Sequence, residues 1–306
     1  LSAGRYRMRR EDDLRVLILC APRYNCRMAV RLIAIDIDGT LLDSHWRIPE
    51  ANRKAIAEAI ERGMEVVLVT GRRFDFARPI AEQLPGPLTL IVNNGALIKA
   101  RDGANHVRHL LPRRVARGVL QATPQFRIGA AVVFDRPREN QVIFEQIDWE
   151  DPDRKGYLER NREYIAQAMP LESCLTEDPI QVMFSGPVEA MREAEKILRA
   201  MPLAAEFALA VTEYESRNFG LVDVIHPACS KGAALAEWTA LRGFRREQVM
   251  AIGDNWNDRE MLEFAGVPVV MGNSVPGLKA LGWRETLSND QSGVAAAIEA
   301  YALGRT

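Results

Sequence analysis

Leu32-Ile33-Ala34-Ile35-Asp36-Ile37-Asp38-Gly39-Thr40-Leu41-Leu42 is an apolar, β-branched run that ends in two carboxylates spaced i, i+2, then a glycine and a threonine. Such a run reads as a buried strand of a parallel sheet. The chain leaves it through a tight loop, which Gly39 permits. Two acids at the end of a buried strand are costly unless a cation sits with them. The carboxyl edge of an open α/β sheet is also where ligands bind. Side chains alternate along a strand, so Asp36 and Asp38 are expected to approach a ligand from one side. An isolated Asp-x-Asp-Gly is equally well a strand followed by a solvated acidic turn, so the rest of the chain has to decide.

Downstream, strand and helix alternate. Residues 49–62 read as an amphipathic helix, with Ile56, Ala59 and Ile60 on one face and Gly63 past its end. Residues 65–69 form a buried strand ending in Thr70-Gly71-Arg72, followed by a helix over 74–84 that Pro79 bends. A third strand, 88–92, ends in Asn93-Asn94-Gly95. This rhythm predicts a doubly wound, Rossmann-like parallel sheet.

From residue 98 to 226 the pattern changes. Strands at 130–134 and 141–147 flank the polar Arg136-Pro137-Arg138-Glu139-Asn140 turn, a hairpin signal. Helices are expected over 157–169 and 188–201, and strands at 180–184, 207–211 and 221–225, which together make an inserted α+β unit. The alternation resumes at Ser230, which caps a helix running to Arg242 with Leu235, Trp238 and Leu241 on its buried side. A strand at 249–252 then enters Gly253-Asp254-Asn255-Trp256-Asn257-Asp258, and another at 267–271 enters Gly272-Asn273-Ser274. A terminal helix covers 293–303. The expected organisation is an α/β core made of 28–97 plus 227–306, interrupted by an α+β cap at 98–226.

Residues 1–27 differ from the rest. Four arginines (Arg5, Arg7, Arg9, Arg10) lead into Glu11-Asp12-Asp13 and a short apolar run. The acids and the short run do not fit a signal peptide, so this segment reads as an upstream extension; a genuine extra strand or arm is the alternative.

The composition bounds the function. The 306 residues hold one large domain or two ordinary ones, and 47% apolar with 26% charged residues fits a globular protein. A net charge of −1 gives no electrostatic reason for nucleic acid or an anionic membrane as partner. No apolar run approaches the ~20 residues needed to span a bilayer. Cys20, Cys26, Cys174 and Cys229 are scattered without metal-binding spacing, which points to a reducing, cytoplasmic setting.

Collected at one sheet edge, the strand-end groups are Asp36, Asp38, Thr70, Asp254, Asn257 and Asp258, with Lys231 opening a helix nearby. Clustered carboxylates without His or Cys favour a hard cation, Mg²⁺ rather than Zn²⁺. Hydroxyl, ammonium and loop amides favour a phosphate. The combination suits nucleophilic phosphoryl transfer.

In these motifs the sequence resembles the haloacid dehalogenase superfamily phosphatases, and among them the Cof-type (subclass IIB) hydrolases. Four motifs match in order: Asp36-Ile37-Asp38-Gly39-Thr40-Leu41, Val69-Thr70-Gly71-Arg72, Lys231 within Ser230-Lys231-Gly232-Ala233-Ala234-Leu235, and Gly253-Asp254-Asn255-Trp256-Asn257-Asp258. Asn94-Gly95-Ala96 and Met271-Gly272-Asn273-Ser274 with Lys279 are similar to further parts of the pattern.

The resemblance implies a Mg²⁺-dependent phosphomonoesterase acting on a small phosphorylated metabolite through an aspartyl-phosphate. Sugar phosphates are the first expectation and flavin-pathway or pyridoxal compounds the next. It implies Asp36 as nucleophile and Asp38 as general acid and then base, with Lys231 offsetting charge. Thr70, Gly71, Asn94 and Asn257 would meet substrate or its phosphate. Asp36, Asp38 through its carbonyl, Asp254 and Asp258 would form the metal site. The insert would be a mobile cap that selects the leaving group.

Blander readings stand beside these. Asn94 touches substrate or only bridges loops, and Arg72 is expected to be structural. His45, His106, His109 and His226 have no ligand spacing. Trp256 is bulky for a metal loop and receives no catalytic role. Asp135, Arg136, Tyr157, Arg217 and Asn218 are the polar or aromatic cap residues available to face the site. A phosphomutase, a phosphate-binding regulatory module and a receiver-type signalling domain remain as alternatives; intact Asp36 and Asp38 speak against the second, and the large insert against the third. Nothing in the sequence separates monomer from homodimer.

Overall fold

The computed structural model describes residues 29–151, 154–214 and 218–305. The expected extension at 1–27, Cys20, Cys26 and Arg217 lie outside those residues. In chain order the first part comprises β1 (Leu32–Asp36), α1 (Glu50–Glu61), β2 (Glu65–Val69), α2 (Phe74–Ala81), β3 (Thr89–Val92), β4 (Leu97–Ala100) and β5 (Asn105–Arg108). The middle part comprises α3 (Arg113–Ala122), β6 (Ala130–Val133), β7 (Val142–Phe144), α4 (Lys155–Arg160), β8 (Ile165–Gln167), β9 (Gln181–Gly186), α5 (Val188–Arg199), β10 (Ala208–Tyr214) and β11 (Phe219–Ile225). The last part comprises α6 (Lys231–Leu241), β12 (Val249–Gly253), α7 (Arg259–Phe264), β13 (Val267–Val270), α8 (Pro276–Lys279), β14 (Arg284–Glu285) and α9 (Gly293–Ala297).

Eight strands form one sheet in the order β14-β13-β12-β1-β2-β3-β4-β5. β1 lies at its centre, parallel to β12 on one side and β2 on the other. Its residues point alternately to the two faces. Ile33 and Ile35 pack with Ile56 of α1 and Val294 of α9. Leu32 and Ala34 pack with Leu235 of α6 and Leu262 of α7. Both faces of the sheet are therefore covered, which is why β1 carries no polar residue before Asp36.

The chain does not leave this sheet at residue 98, where the insert was expected to begin. β4 pairs antiparallel with β3, and β5 with β4, so the boundary falls inside β4 and the sheet continues to Arg108. Leu97 and Ile98 are buried against the core and pay no penalty for extending it. The Asp102-Gly103 pair between the two strands, with Gly103 at φ 98°, is a hairpin signal that the sequence carried.

The insert builds a six-stranded sheet in the order β10-β11-β9-β6-β7-β8. One face packs on α3 and α5 through Val115, Val119, Met191 and Leu198. Ala131, Val133, Val142 and Phe144 on the other face join the apolar cluster that includes Ile33 and Ile35. The predicted helix over 157–169 ends at Arg160; Ile165–Gln167 instead pairs parallel with β7 as an edge strand. Tertiary pairing to β7 outweighs a weak local helix preference there. Leu241, expected to be buried, is 61% exposed at the end of α6.

Gly95 holds the two halves of the core sheet edge together. It sits at φ 97°, and a Cβ built there would lie 2.3 Å from the Ser230 carbonyl oxygen. Only glycine lets the β3–β4 turn approach the start of α6. Gly95→Ala is therefore expected to destabilise the protein by about 1–3 kcal/mol, read as a lower urea midpoint at unchanged slope.

Candidate active site

β1 delivers Asp36 to the sheet edge almost fully buried, at 3% exposure. The strand ends there, and a turn with Gly39 at φ 83° follows. Asp38 thus lies past the strand, and the turn rather than strand alternation sets its direction. The same glycine makes room for Asp254: a Cβ on Gly39 would lie 2.4 Å from Asp254 Oδ2. Thr40 then donates its hydroxyl to Asp254 Oδ1 at 2.7 Å, tying the first motif to the fourth.

Ser230 caps α6, accepting a hydrogen bond from the Ala233 amide at 3.0 Å. That cap fixes the first helical residue, Lys231, whose Nζ donates to Asp36 Oδ1 at 2.6 Å and Asp258 Oδ1 at 2.7 Å. Burial alone would lower this ammonium, but the flanking carboxylates hold it well above the ordinary lysine range. The second Asp258 oxygen accepts from the Asp254 and Asn255 amides, both at 3.0 Å. Asp258 is thus an organiser of the loop, with both oxygens engaged.

Asp36, Asp254 and Asp258 each offer an oxygen within 4.8 Å of the others. Burial, and then the charge of Asp258, push Asp254 up to about 7. An all-oxygen donor set this crowded with negative charge fits a hard divalent cation. The Asp38 carboxylate is not part of it. Arg72 grips that carboxylate with two parallel hydrogen bonds, Nε to Oδ2 at 2.8 Å and Nη2 to Oδ1 at 2.6 Å. Arg72, expected to be structural, is the residue that aims Asp38. Thr70 is buried and accepts from the Arg72 amide at 3.1 Å. Asn257 lies beside Lys231 on the wall of a cavity between core and cap.

Asn94 bridges the turn after β3 to the cap sheet. Its Nδ2 donates to Asp223 Oδ2 on β11 at 3.0 Å, and Gln181 Nε2 of β9 donates to the other Asp223 oxygen at 2.8 Å. Asn93 completes the chain through Gln181 Oε1 at 3.2 Å. On the neighbouring side, Arg73 donates to Gln141 and Asn161 of the cap, with its guanidinium 5.0 Å from the centre of the Tyr164 ring.

Three of the cap residues singled out by type are occupied elsewhere. Asp135 pairs with Lys99 and Arg108 of the core sheet, Arg136 with Glu177, and Asn218 accepts from the Val188 amide. Among the described cap residues, Tyr214, at the end of β10, feels the charge of the acids. Its phenol is pushed up to about 12 by desolvation and by the charges of Asp38 and Asp36. It continues the strand expected at 207–211, and the signal that could have found it is that extension of the β pattern.

A parallel sheet with these acids at its edge and a cap inserted over them defines a class. The chain belongs to the haloacid dehalogenase-like hydrolases, whose family model matches residues 33–298. It is 32% identical over 251 residues to the HMP-PP phosphatase of Serratia proteamaculans, covering 82% of this chain and 87% of that one. It is 30% identical over 274 residues to the 5-amino-6-(5-phospho-D-ribitylamino)uracil phosphatase YcsE of Bacillus subtilis, covering 90% and 96%. A crystal structure of a haloacid dehalogenase-like hydrolase from Bacteroides thetaiotaomicron matches with a TM-score of 0.72 at 25% identity, covering 89% of this chain and 99% of that one. Among the described residues, no helix is long and apolar enough to cross a membrane.

Two outcomes follow from the geometry. Lys231→Met leaves Asp36 and Asp258 buried without their cation, and a loss of about 3–5 kcal/mol in urea unfolding is expected. Burial also pushes the Asp223 carboxyl up to about 7, against the hydrogen bond from Asn94. The unfolded chain releases that proton near pH 4. The group's contribution to stability is therefore full below about pH 4 and is lost as pH rises through about 7. Relative to Asp223→Asn, the wild-type protein should lose stability across that window; parallel profiles would remove the carboxyl as the cause.

Proposed function

We propose that the chain is a Mg²⁺-dependent phosphomonoesterase that hydrolyses a small phosphorylated metabolite through an aspartyl-phosphate on Asp36. The observation that carries this reading is the buried ammonium of Lys231, shared by Asp36 and Asp258 within a three-acid cluster. The names of the relatives support phosphoric monoesters as the substrate class.

Lys231 occupies one oxygen of Asp36 and leaves the other to attack phosphorus. As that oxygen bonds to phosphorus, the ester P–O bond breaks and the leaving oxygen takes a proton from Asp38. Arg72 sets the direction of the Asp38 carboxyl group for this transfer. The Thr70 hydroxyl and the neighbouring Gly71 amide hydrogen-bond the phosphoryl oxygens, and Asn257 orients the group from the facing loop. In the second half, Asp38 takes a proton from water, the water oxygen bonds to phosphorus, and Asp36 leaves as a carboxylate. Asp36, Asp254 and the Asp38 carbonyl would hold the cation, with Asp258 keeping the loop in place. When bound, Mg²⁺ neutralises the phosphoryl oxygens that the Asp36 carboxylate must approach. The cap, docked through Asp223 and Arg73, excludes water during the first half.

The test is phosphate release from acetyl phosphate and from p-nitrophenyl phosphate, with and without Mg²⁺. Release should require Mg²⁺ and disappear in Asp36→Asn, and Asp38→Asn should lower kcat by about 10²–10⁴-fold. Undiminished turnover by Asp36→Asn would overturn the mechanism. Transfer to an added sugar outpacing release to water would make the enzyme a mutase instead.

A further inference from the structure

Trp46 carries two costs at once. Its side chain is 59% exposed, and its backbone sits at φ 61°, in the left-handed region that a bulky residue rarely adopts. The chain holds it there firmly. The Trp46 amide donates to the Asp43 carbonyl at 3.0 Å. One Asp43 carboxylate oxygen accepts from the His45 and Arg47 amides, both at 2.9 Å. The Ser44 amide donates to Asp290 Oδ1 at 2.7 Å, which ties this turn to the segment before α9. Strained residues whose surroundings over-determine them gather at functional sites.

The indole has a partner. The Arg72 guanidinium carbon lies 5.6 Å from the centre of the Trp46 ring, within reach of a cation–π contact. Arg72 is the residue that forks Asp38 through Nε and Nη2. That fork fixes the two groups against each other and not against the sheet. Arg72 reaches Asp38 on a stem of several rotatable bonds, and the two side chains keep 25% and 30% of their surface exposed. A guanidinium that rests on an aromatic face loses much of its freedom to swing. Trp46 and Asp38 lie on one connection, from β1 to α1, and Arg72 lies on the next, from β2 to α2. The ring therefore ties the second connection back to the first, beside the group to be aimed.

We propose that Trp46 is a positioning residue for phosphoryl transfer: its indole braces Arg72, and Arg72 in turn aims Asp38 at the leaving oxygen. The proposal rests on the phosphomonoesterase reading. In that reaction the Asp38 carboxyl gives its proton to the leaving oxygen as the ester P–O bond breaks, and the carboxylate left behind is the form that the Arg72 fork pairs with. A brace on Asp38 matters where the leaving oxygen needs that proton and matters little where it departs as a stable anion.

Two substrates of similar shape separate these cases on the full chain with Mg²⁺. Phenyl phosphate has a poor leaving group, and p-nitrophenyl phosphate has one that leaves unaided. The quantity read is kcat/KM, which reports the steps up to transfer onto Asp36. Trp46→Gly removes the ring and suits the positive φ, so the turn is kept. It should lose about tenfold on phenyl phosphate, a part of the roughly 10²–10⁴ that a general acid contributes, and less than about twofold on p-nitrophenyl phosphate. Trp46→Phe should recover most of the loss; Trp46→Leu, with bulk but no π face, should not. Equal losses on the two esters, no loss on either, or a Leu variant as active as the Phe variant would overturn the proposal and leave the phosphatase reading standing. Absence of Mg²⁺-dependent release from either ester by the wild-type protein would overturn both.

Discussion

A buried ammonium between two buried carboxylates organises this molecule. Lys231 is 2% exposed, and its partners Asp36 and Asp258 are 3% and 0% exposed. None of the three could be buried alone at tolerable cost. Their burial therefore requires that β1, α6 and the loop after β12 arrive together. The parallel pairing of β12 with β1 brings the loop, and the Ser230 cap brings the lysine. The close approach of Gly95 to the Ser230 carbonyl fixes where α6 starts. One electrostatic constraint thus ties the packing of both sheet faces to the placement of the reactive groups.

A second layer of polar contacts joins the cap to this centre. Arg72 and Arg73 are consecutive, but they turn opposite ways: Arg72 forks Asp38, and Arg73 enters the cap between Gln141, Asn161 and the Tyr164 ring. On the other side, Asn94 and Asp223 make the corresponding link. The residue that grips Asp38 and the residue that enters the cap are therefore chain neighbours.

Much of the core was legible because its signals are local. The apolar run before Asp36, the helix over 49–62, the Ser230 cap and the acidic loop after residue 253 each carry their own pattern. The insert was less legible. Its strands are short, and the segment 157–169 changes from helix to edge strand because β7 offers a pairing that no local propensity anticipates. Asp135, Arg136 and Asn218, chosen by type, were occupied in ion pairs and a backbone contact elsewhere, while Tyr214, at the end of a strand, feels the charge of the acids.

The sequence by itself determined the class of chemistry. Carboxylates at strand ends, a capped lysine and glycines at the turns specify an oxygen-lined, phosphate-seeking edge, because each of those requirements lies within a few residues. Tertiary structure alone decided which partner each group takes. Arg72 became the guide of Asp38, Asp258 a loop organiser and Asn94 a bridge to the cap. Such assignments depend on distances between segments up to about two hundred residues apart, such as Thr40 and Asp254. Only the burial of one common core sets those distances.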